Sequence, residues 1–396
     1  MANLLTAGFS LSGSISAMAP IPRQTAGATM QDSDKAAKHP IRFARSSSQR
    51  LKRVFLVLPT APTPGFGDND SVHYRSLNRA EHLAANGINA MVCTIETLSG
   101  ADMNAGDAAI FQHPVVSPHL RQMVDSIQRS NATAVADIDT HNIDISLAMR
   151  GPAGRLDIHS REQILADLAA RTEALQLFST VIVPDEPLAM RIRQLCPAGR
   201  IQVVPDVPVP AEIALAEAMR TLPEAMAERA YVACLGQPEE LAEILPVLAP
   251  RLIPILSAAG LTLLVQVNVT VPPVLLQSGR VRPILPANPQ DQPALLRVCR
   301  SLAFLTTSAD TSGIIAWRAF IQATLAGIPF LGLSTPSLAD RLGGAGRLVE
   351  NLDEWLGCLS AVPARTKRRP PAAAGSLMRK FPVHKAHRKL MAALGN

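Results

Sequence analysis

The sequence predicts an α/β protein made of two Rossmann-like domains that face each other across a cleft. Short, continuously apolar runs alternate with amphipathic segments along most of the chain, a pattern typical of parallel sheets covered by helices. A proline-rich stretch at residues 205–210 divides these segments into two similar series. The length of 396 residues also exceeds the usual size of a single compact core.

The composition indicates a folded protein from a reducing compartment. Hydrophobic residues make up 47% of the chain and charged residues 18%, while aromatic residues are only 4%, so the core must be largely aliphatic. Five cysteines are widely spaced and form no C-x-x-C pair, which disfavours both a disulfide framework and a zinc site. The amino terminus has no positively charged segment before its apolar residues, which disfavours a secretory signal.

Changes in composition suggest four regions. Residues 1–50 are rich in Ala, Ser and Pro and are predicted to be a disordered leader. The two domains follow at 51–207 and 208–362, and residues 363–396 form a basic tail. No Asp or Glu occurs from Trp355 onward, so the tail would attract an anionic membrane surface. Nucleic acid is disfavoured because Phe381 is the only aromatic residue in the tail, and a purely solubilising tail remains an alternative.

The first domain begins with the pattern of a Rossmann-like unit. The apolar run 53–59 predicts a buried strand, and residues 60–70 form a Pro- and Gly-rich loop. A helix is predicted at 71–86, closed by Gly87. The glycine spacing is not G-x-G-x-x-G, so a dinucleotide is not indicated. Further strands are predicted at 90–95, 108–112, 132–138, 180–183 and 201–204, and helices at 119–129, 161–177 and 186–196.

The second domain is predicted to start with a helix at 211–229 and a strand at 230–235. A very apolar segment follows at 241–276, and its uncharged part is long enough to raise the question of a membrane span. Its prolines and a polar stretch instead favour a helix and then a strand at 261–267. Because the helix contains three prolines, we expect it to be broken or kinked.

The most informative stretch runs from Ser301 to Leu333. It reads as a strand, a loop of small polar residues, a helix that stops at Gly327 and another strand. The loop lies at the carboxyl end of a strand and the amino end of a helix, where backbone N–H groups and the helix dipole favour a phosphate.

Residues 322–329 read Q-A-T-L-A-G-I-P, which resembles the E-A-x-A-x-G-x-P helix of nucleotide-sugar glycosyltransferases of the GT-B fold. That family usually has a glutamate where this chain has Gln322, and its retaining members often have a second one where this chain has Ile314. Relatives also carry a Lys or Arg in the loop that follows Gly236, where this chain has none. The resemblance therefore implies the fold and leaves the activity open.

The resemblance, combined with the positions of polar residues at predicted strand ends, suggests a substrate site. Ligands of such sheets bind outside the carboxyl ends of the strands. No metal and no cofactor is predicted. The candidate catalytic residues are His113, Asp139 and Asp310; the candidate donor and phosphate residues are Gly236, Arg282, Ser308, Thr311, Ser312, Gly313, Arg318 and Gln322; and the candidate acceptor residues are Gly65, Gly67, His73 and Arg75.

The leading hypothesis is a cytoplasmic glycosyltransferase, peripheral to the inner membrane through its tail, that moves a sugar from a nucleotide-diphosphate sugar to a glycan or lipid-linked acceptor. The acceptor would be a precursor of a surface polysaccharide or a glycolipid. One alternative is a catalytically degenerate relative that serves as a binding or scaffold protein. Another is a nucleotide-sugar epimerase of the same architecture.

Overall fold

The fold was analysed in a computed structural model, in which the described residues all belong to one compact unit, Ser47–Asn396. The structure describes residues 51–59, 69–98, 103–140, 145, 158–197, 199–221, 230–286, 289, 291–306, 313–335, 338, 339, 342, 346–361, 381 and 383–395. The predicted leader and most of the loop at 60–70 lie outside these residues. So do Gly65, Gly67, Ser308, Asp310, Thr311 and Ser312.

The first half of the unit is built on a six-stranded sheet in the order β2-β1-β3-β4-β5-β6, with all strands parallel. Residues of β1, β3, β4 and β5 are almost entirely buried, as expected for parallel strands with helices on both faces. The strands are β1 (Arg53–Leu58), β2 (Asn89–Thr94), β3 (Asp107–Gln112), β4 (Thr133–Asp137), β5 (Thr180–Val183) and β6 (Arg200–Val203).

The helices of this half lie close to the positions that the sequence predicts. The first, α1, comprises three contiguous segments: Asn69–Ser71, a π-helical segment Val72–Leu77, and Asn78–Ala85. The others are α2 (Pro118–Arg129), α3 (Ile158–Leu175) and α4 (Glu186–Leu195). The side chains of Ser117 and Asp185 cap α2 and α4 by accepting backbone N–H groups.

The second half is built on another six-stranded parallel sheet, in the order β12-β11-β10-β7-β8-β9. Read from β9, this is the strand order of a Rossmann sheet, with its switch point between β7 and β10. The strands are β7 (Tyr231–Leu235), β8 (Thr262–Gln266), β9 (Val281–Leu285), β10 (Cys299–Phe304), β11 (Phe330–Leu333) and β12 (Arg347–Val349). Their helices are α5 (Pro210–Thr221), α6 (Pro238–Ala258), α7 (Pro273–Gln277), α8 (Gln292–Leu296), α9 (Gly313–Ala326) and α10 (Leu352–Ala361).

Helix α6 bears on one prediction. It is a single helix of 21 residues that contains Pro246, Pro250 and Pro254, so the chain is not broken there, and the kink stays a prediction. The prolines, four residues apart, all lie on the exposed side, where water can bond the carbonyls that each proline leaves unpaired. By length and composition α6 could cross a membrane, yet its inner face, including Leu245 and Leu252, packs in the core beneath the second sheet. A core helix of a soluble protein meets the same criterion.

The last helix, α11 (Val383–Ala393), belongs to the basic tail and packs against β5 and β6 of the first sheet. Its apolar side chains, Leu390 among them, join the core on one face of that sheet. The chain therefore returns to its first half at its carboxyl end.

Where the two halves meet, each buries a side chain in a core cluster of the other. Tyr74 of α1 is buried in a core cluster of the second half, next to Leu235 and Phe320. In the opposite direction, Ile314 of α9 is buried in a core cluster of the first half, which contains Phe111. Each half thus completes part of the other's core.

Candidate functional site

Charged and polar side chains collect where the carboxyl ends of the two sheets meet. Gln112 and Asp137 are the last residues of β3 and β4, and Asp206 follows β6. On the second sheet, Gly236 and Gln266 stand at the ends of β7 and β8. Ligands of open α/β sheets bind at this edge, next to the switch points.

The π-helical segment of α1 turns four consecutive side chains into the protein. His73, Tyr74, Arg75 and Ser76 are all buried, which a regular α-helix on a protein surface does not achieve, because its buried residues recur every three or four positions. Two of these residues, His73 and Arg75, were predicted from their place after the glycine-bearing loop. Both are at the junction, although neither faces open solvent.

Arg75 is held by aspartates from two different segments. Its Nε donates to Asp137, its Nη1 donates to Asp206 Oδ1 at 2.9 Å, and the same Nη1 donates to the carbonyl oxygen of Val204 at 2.8 Å. Arg79, one turn further along α1, also donates to Asp137, at 2.5 Å. Burial disfavours the charged form of Arg75, but Asp137 and Asp206 outweigh this effect and raise the pKa of Arg75. For Arg79, burial and the neighbouring Arg75 lower the pKa to about 10.

Arg318 of α9 joins the second half to the first. Its Nε donates to Asp206 Oδ2 at 2.8 Å, its Nη2 donates to Asp139, and its guanidinium lies over the ring of Tyr74. The neighbouring Trp317 donates from Nε1 to the backbone carbonyl of Asp206 at 2.9 Å. Burial disfavours the charged guanidinium, but Asp206 and Asp139 outweigh burial and raise the pKa of Arg318.

His113 and Asp139 form a second pair at the same place. The distance between His113 Nε2 and Asp139 Oδ1 is 2.5 Å, and Ser71 Oγ donates to the other oxygen of Asp139 at 2.6 Å. Burial alone would raise the pKa of Asp139, but Arg318 and His113 hold it well below its usual range. The backbone of His113 has φ of +46°, an uncommon value for a residue other than glycine, and such strain often marks functional positions.

On the second sheet, the loops after β7 and β10 are in close contact. A Cβ added to Gly236 would lie 2.5 Å from the carbonyl oxygen of Leu305, so only glycine fits there. Thr306, which ends the described part of the β10 loop, donates to Glu240 of α6 at 2.6 Å. The sequence predicted no cation in the loop after Gly236, and in the structure the acidic Glu240 contacts the neighbouring loop.

Gln322 lies one helical turn beyond Arg318 and bonds across the junction. Its Nε2 donates to the hydroxyl oxygen of Tyr74 at 2.9 Å, while its Oε1 is buried without a hydrogen-bond partner among the described residues. The position at which relatives usually carry the glutamate of the E-A-x-A-x-G-x-P motif is therefore used for a contact between the halves.

A small cavity of about 30 Å³ remains between the two halves. It has room for one or two water molecules and is far smaller than the ligand pockets of roughly 300 Å³ and more that hold complete small molecules. The residues that line it are Asp70, Tyr74, Leu235, Gly236, Gln266, Gln292, Ile315, Arg318, Ala319 and Gln322. This cavity is therefore too small for a complete nucleotide sugar.

The structure brings together most of the described residues that the sequence singled out. His73, Arg75, His113, Asp139, Arg318 and Gln322 lie at the junction, Gly236 lines its cavity, and Gly313 is buried at the start of α9. Arg282 is different, because it is exposed on the edge strand β9 and does not line the cavity. Within the described part of the chain, no group of three or more His, Cys, Asp or Glu side chains is arranged to hold a metal ion.

Sequence reasoning missed Asp70 as a site residue, and it read Asp206 as part of the linker, at a position where the family commonly has an asparagine. Asp70 stands at the start of α1, at the end of the glycine-bearing loop, and this place was an available signal. Burial raises the pKa of Asp70, although Arg318 and His73 act in the opposite direction. For Asp206, the signal was its position shortly after the end of β6.

Two parallel Rossmann-like sheets with a polar junction at their facing carboxyl edges define the GT-B fold, the architecture of nucleotide-sugar glycosyltransferases. The chain is similar to an alpha-glucosyltransferase solved in complex with UDP and a 13-mer DNA containing an HMU base, with a TM-score of 0.53 and 10% identity over 87% of this chain and 99% of that one. At this identity the likeness shows a shared fold.

Two other solved structures have lower scores. The N-terminal domain of trehalose-6-phosphate phosphatase from Candida albicans gives a TM-score of 0.49 with 8% identity, over 89% of this chain and 98% of that one. UDP-GlcNAc 2-epimerase from Methanocaldococcus jannaschii, in complex with UDP-GlcNAc and UDP, gives 0.41 with 12% identity, over 83% and 98%. No protein-family model matches the sequence, and no curated protein matches it significantly.

Proposed function

We propose that the protein is a glycosyltransferase that moves a sugar from a nucleotide-diphosphate sugar to a hydroxyl group of a glycan or glycolipid acceptor. The observation that supports this most is the junction itself. It places a buried arginine, Arg318, and a histidine–aspartate pair, His113 and Asp139, at the facing edges of two Rossmann-like sheets.

Arg318 is our candidate for the group that stabilises the leaving diphosphate. When the bond between the sugar and the diphosphate breaks, negative charge develops on the diphosphate oxygens, and a fixed guanidinium offers paired N–H donors to them. In the closed junction these donors are used by Asp139 and Asp206. A donor would compete with these aspartates for the guanidinium of Arg318, and separation of the two halves would give it access.

His113 is our candidate for the base that takes the proton of the acceptor hydroxyl. Its Nε2 contacts Asp139, which remains ionised because its pKa is held low, so the carboxylate fixes the orientation of the ring. The oxygen of the acceptor would then attack the anomeric carbon while the diphosphate leaves with the bonding electrons. Asp310 and the residues around it stay predictions for this site.

The tail suggests where the reaction takes place. Helix α11 buries its apolar side and exposes four basic side chains, those of His384, Lys385, Arg388 and Lys389. We propose a cytoplasmic protein that binds the anionic inner face of a membrane through this helix and the basic residues before it. Lipid-linked precursors of surface polysaccharides would be presented at such a surface.

A catalytically degenerate binding protein is the second candidate, and specific contacts favour it. Ile314 fills a core cluster of the first half, Gln322 is bonded to Tyr74, and the remaining cavity is water-sized. These contacts would favour a permanently closed junction. An epimerase would also suit the fold, and product analysis without acceptor would separate it from a transferase.

The test is to incubate the purified full-length protein with a panel of UDP-, GDP- and ADP-linked hexoses and to measure both binding by calorimetry and release of the nucleoside diphosphate. A transferase binds one of them and releases its diphosphate, and His113→Gln reduces release without abolishing binding. A degenerate protein gives binding without release. If no nucleotide sugar binds, the proposal is wrong.

A further inference from the structure

The cavity at the junction contains more hydrogen-bond acceptors than donors to satisfy them. Gln266 and Gln322 both line it, both are at least nine-tenths buried, and the Oε1 atom of each has no hydrogen-bond partner within the described residues. A buried amide oxygen without a donor costs about 1–3 kcal/mol, so such atoms are rare unless a ligand or water bonds them.

Asp70 adds a charged acceptor to the same wall. Its carboxylate makes no hydrogen bond with any of the described residues, in contrast to Asp139 and Asp206, which are bonded to arginines. Asp70 is partly buried, and desolvation raises its pKa, although Arg318 and His73 act in the opposite direction. The titratable groups that act on it are Arg318 from α9, His73 and Tyr74 from α1, Asp139 after β4 and Asp206 after β6.

We propose that Asp70, Gln266 and Gln322 form a recognition site for the hydroxyl groups of a sugar. Hydroxyls are the donors that such a set requires, because two amide oxygens and a carboxylate can each accept from one hydroxyl of a polyol. An inorganic anion is disfavoured because it would meet three acceptors. This inference rests on the proposed function in taking the sugar to be part of a nucleotide sugar.

Arg318 lines the same cavity, and its position beside the three acceptors determines how a nucleotide sugar would be oriented in the site. A diphosphate held by the guanidinium would place the sugar linked to it, or the ribose on its other side, within reach of the three acceptors. The closed cavity of about 30 Å³ admits at most a hydroxyl group or two, so the complete sugar binds only when the halves separate.

The experiment measures the affinities of UDP, UDP-glucose and free glucose for the full-length protein by calorimetry and by ligand-observed NMR, with the GDP and ADP series in parallel. The variants are Asp70→Asn, which replaces a charged carboxylate of the first half by a neutral amide, and Gln266→Leu, which removes the amide oxygen from the second half. Asp167→Asn is the matched control, because Asp167 is a half-exposed surface residue paired with Arg171 on α3. Thermal unfolding confirms that each variant is folded.

We expect Asp70→Asn to weaken binding of the nucleotide sugar about 10-fold, since a neutral hydrogen bond replaces one to a charged group, whereas Asp167→Asn leaves binding unchanged. If the Asp70→Asn variant loses as much affinity for UDP as for UDP-glucose, the group recognised is the ribose. If it loses affinity for UDP-glucose alone, the group recognised is the transferred sugar. Glucose binding that depends on Asp70 without any nucleotide binding supports this site and contradicts the proposed function. Equal affinities for the wild type and both folded variants, or no binding of any ligand, would overturn it.

Discussion

Replacement of Arg318 by methionine should destabilise the protein strongly, because it upsets a balanced set of buried charges. Three arginines of the junction, Arg75, Arg79 and Arg318, are paired with three aspartates, Asp137, Asp139 and Asp206. Methionine retains much of the side-chain volume and removes one cation. Two cations then face three carboxylates, all of which are at most 2% exposed.

The expected loss is about 3–5 kcal/mol of the free energy of unfolding, the usual cost of leaving one member of a buried ion pair uncompensated. Asp206 retains Arg75, and Asp139 retains His113 and Ser71, so the lower end of this range is the more reasonable expectation. The matched control is Arg121→Met. Arg121 pairs with Glu173 on the surface, where both side chains are about half exposed, and an exposed pair contributes less than about 1 kcal/mol.

The assay is urea unfolding followed by circular dichroism at neutral pH for the wild type, both single variants and the double variant Arg318→Met/Asp206→Asn. The double variant restores equal numbers of opposite charges, so it should recover about 1–3 kcal/mol relative to additive costs, as expected for residues in direct contact. A loss for Arg318→Met no larger than that for Arg121→Met, or strictly additive costs in the double variant, would refute the charge-balance argument.

Two further outcomes follow from other parts of the structure. Burial and His387 lower the pKa of His82 to about 4, below its unfolded pKa near 6.5. The contribution of His82 to stability is therefore present above the unfolded pKa and is lost as pH falls toward 4, and between pH 7.5 and pH 5 the loss is about 2 kcal/mol. Urea titrations of His82→Leu at both pH values should show a correspondingly smaller difference in the free energy of unfolding. Gly236→Ala forces a Cβ against the carbonyl oxygen of Leu305 and should cost about 1–3 kcal/mol in thermal unfolding. Gly357→Ala, in the interior of α10 with no atom within 4 Å of the new Cβ, should instead stabilise the protein by about 0.5–1 kcal/mol; equal effects of the two alanines would contradict this account.

Much of the fold is predictable from the sequence because parallel strands buried on both faces have a simple apolar pattern. The predicted strand at 180–183 coincides with β5, and the predicted helix that stops at Gly327 corresponds to α9. The unbroken α6 was not predictable from proline content alone. Prolines break a helix when the freed carbonyls are buried, and the burial of the three prolines of α6 depends on which face the second sheet covers.

The candidate site could be predicted only in part. Strand ends locate His113 and Asp139, because the carboxyl edge of a parallel sheet is where ligands bind. The partners of Asp139 come from α1 and from α9: Ser71 is 68 positions away and Arg318 is 179 positions away, and no spacing rule connects them. The burial of four consecutive residues in α1 depends on a π-helical segment, which the sequence pattern of an amphipathic helix does not reveal.

Contacts at the junction explain why this chain has Ile314 and Gln322 where the glycosyltransferase motif has glutamates. An acid at position 314 would be buried among the apolar side chains of the first half's core, where an unpaired charge is strongly disfavoured, so the isoleucine is required by the closed arrangement. An acid at position 322 could not donate a hydrogen bond to the hydroxyl oxygen of Tyr74, as the amide of Gln322 does. Both residues therefore favour closure, and Arg318 does so through its two aspartates. If the protein is a transferase, the binding energy of its donor must first separate these contacts, so donor affinity should be lower than the number of available contacts alone would suggest.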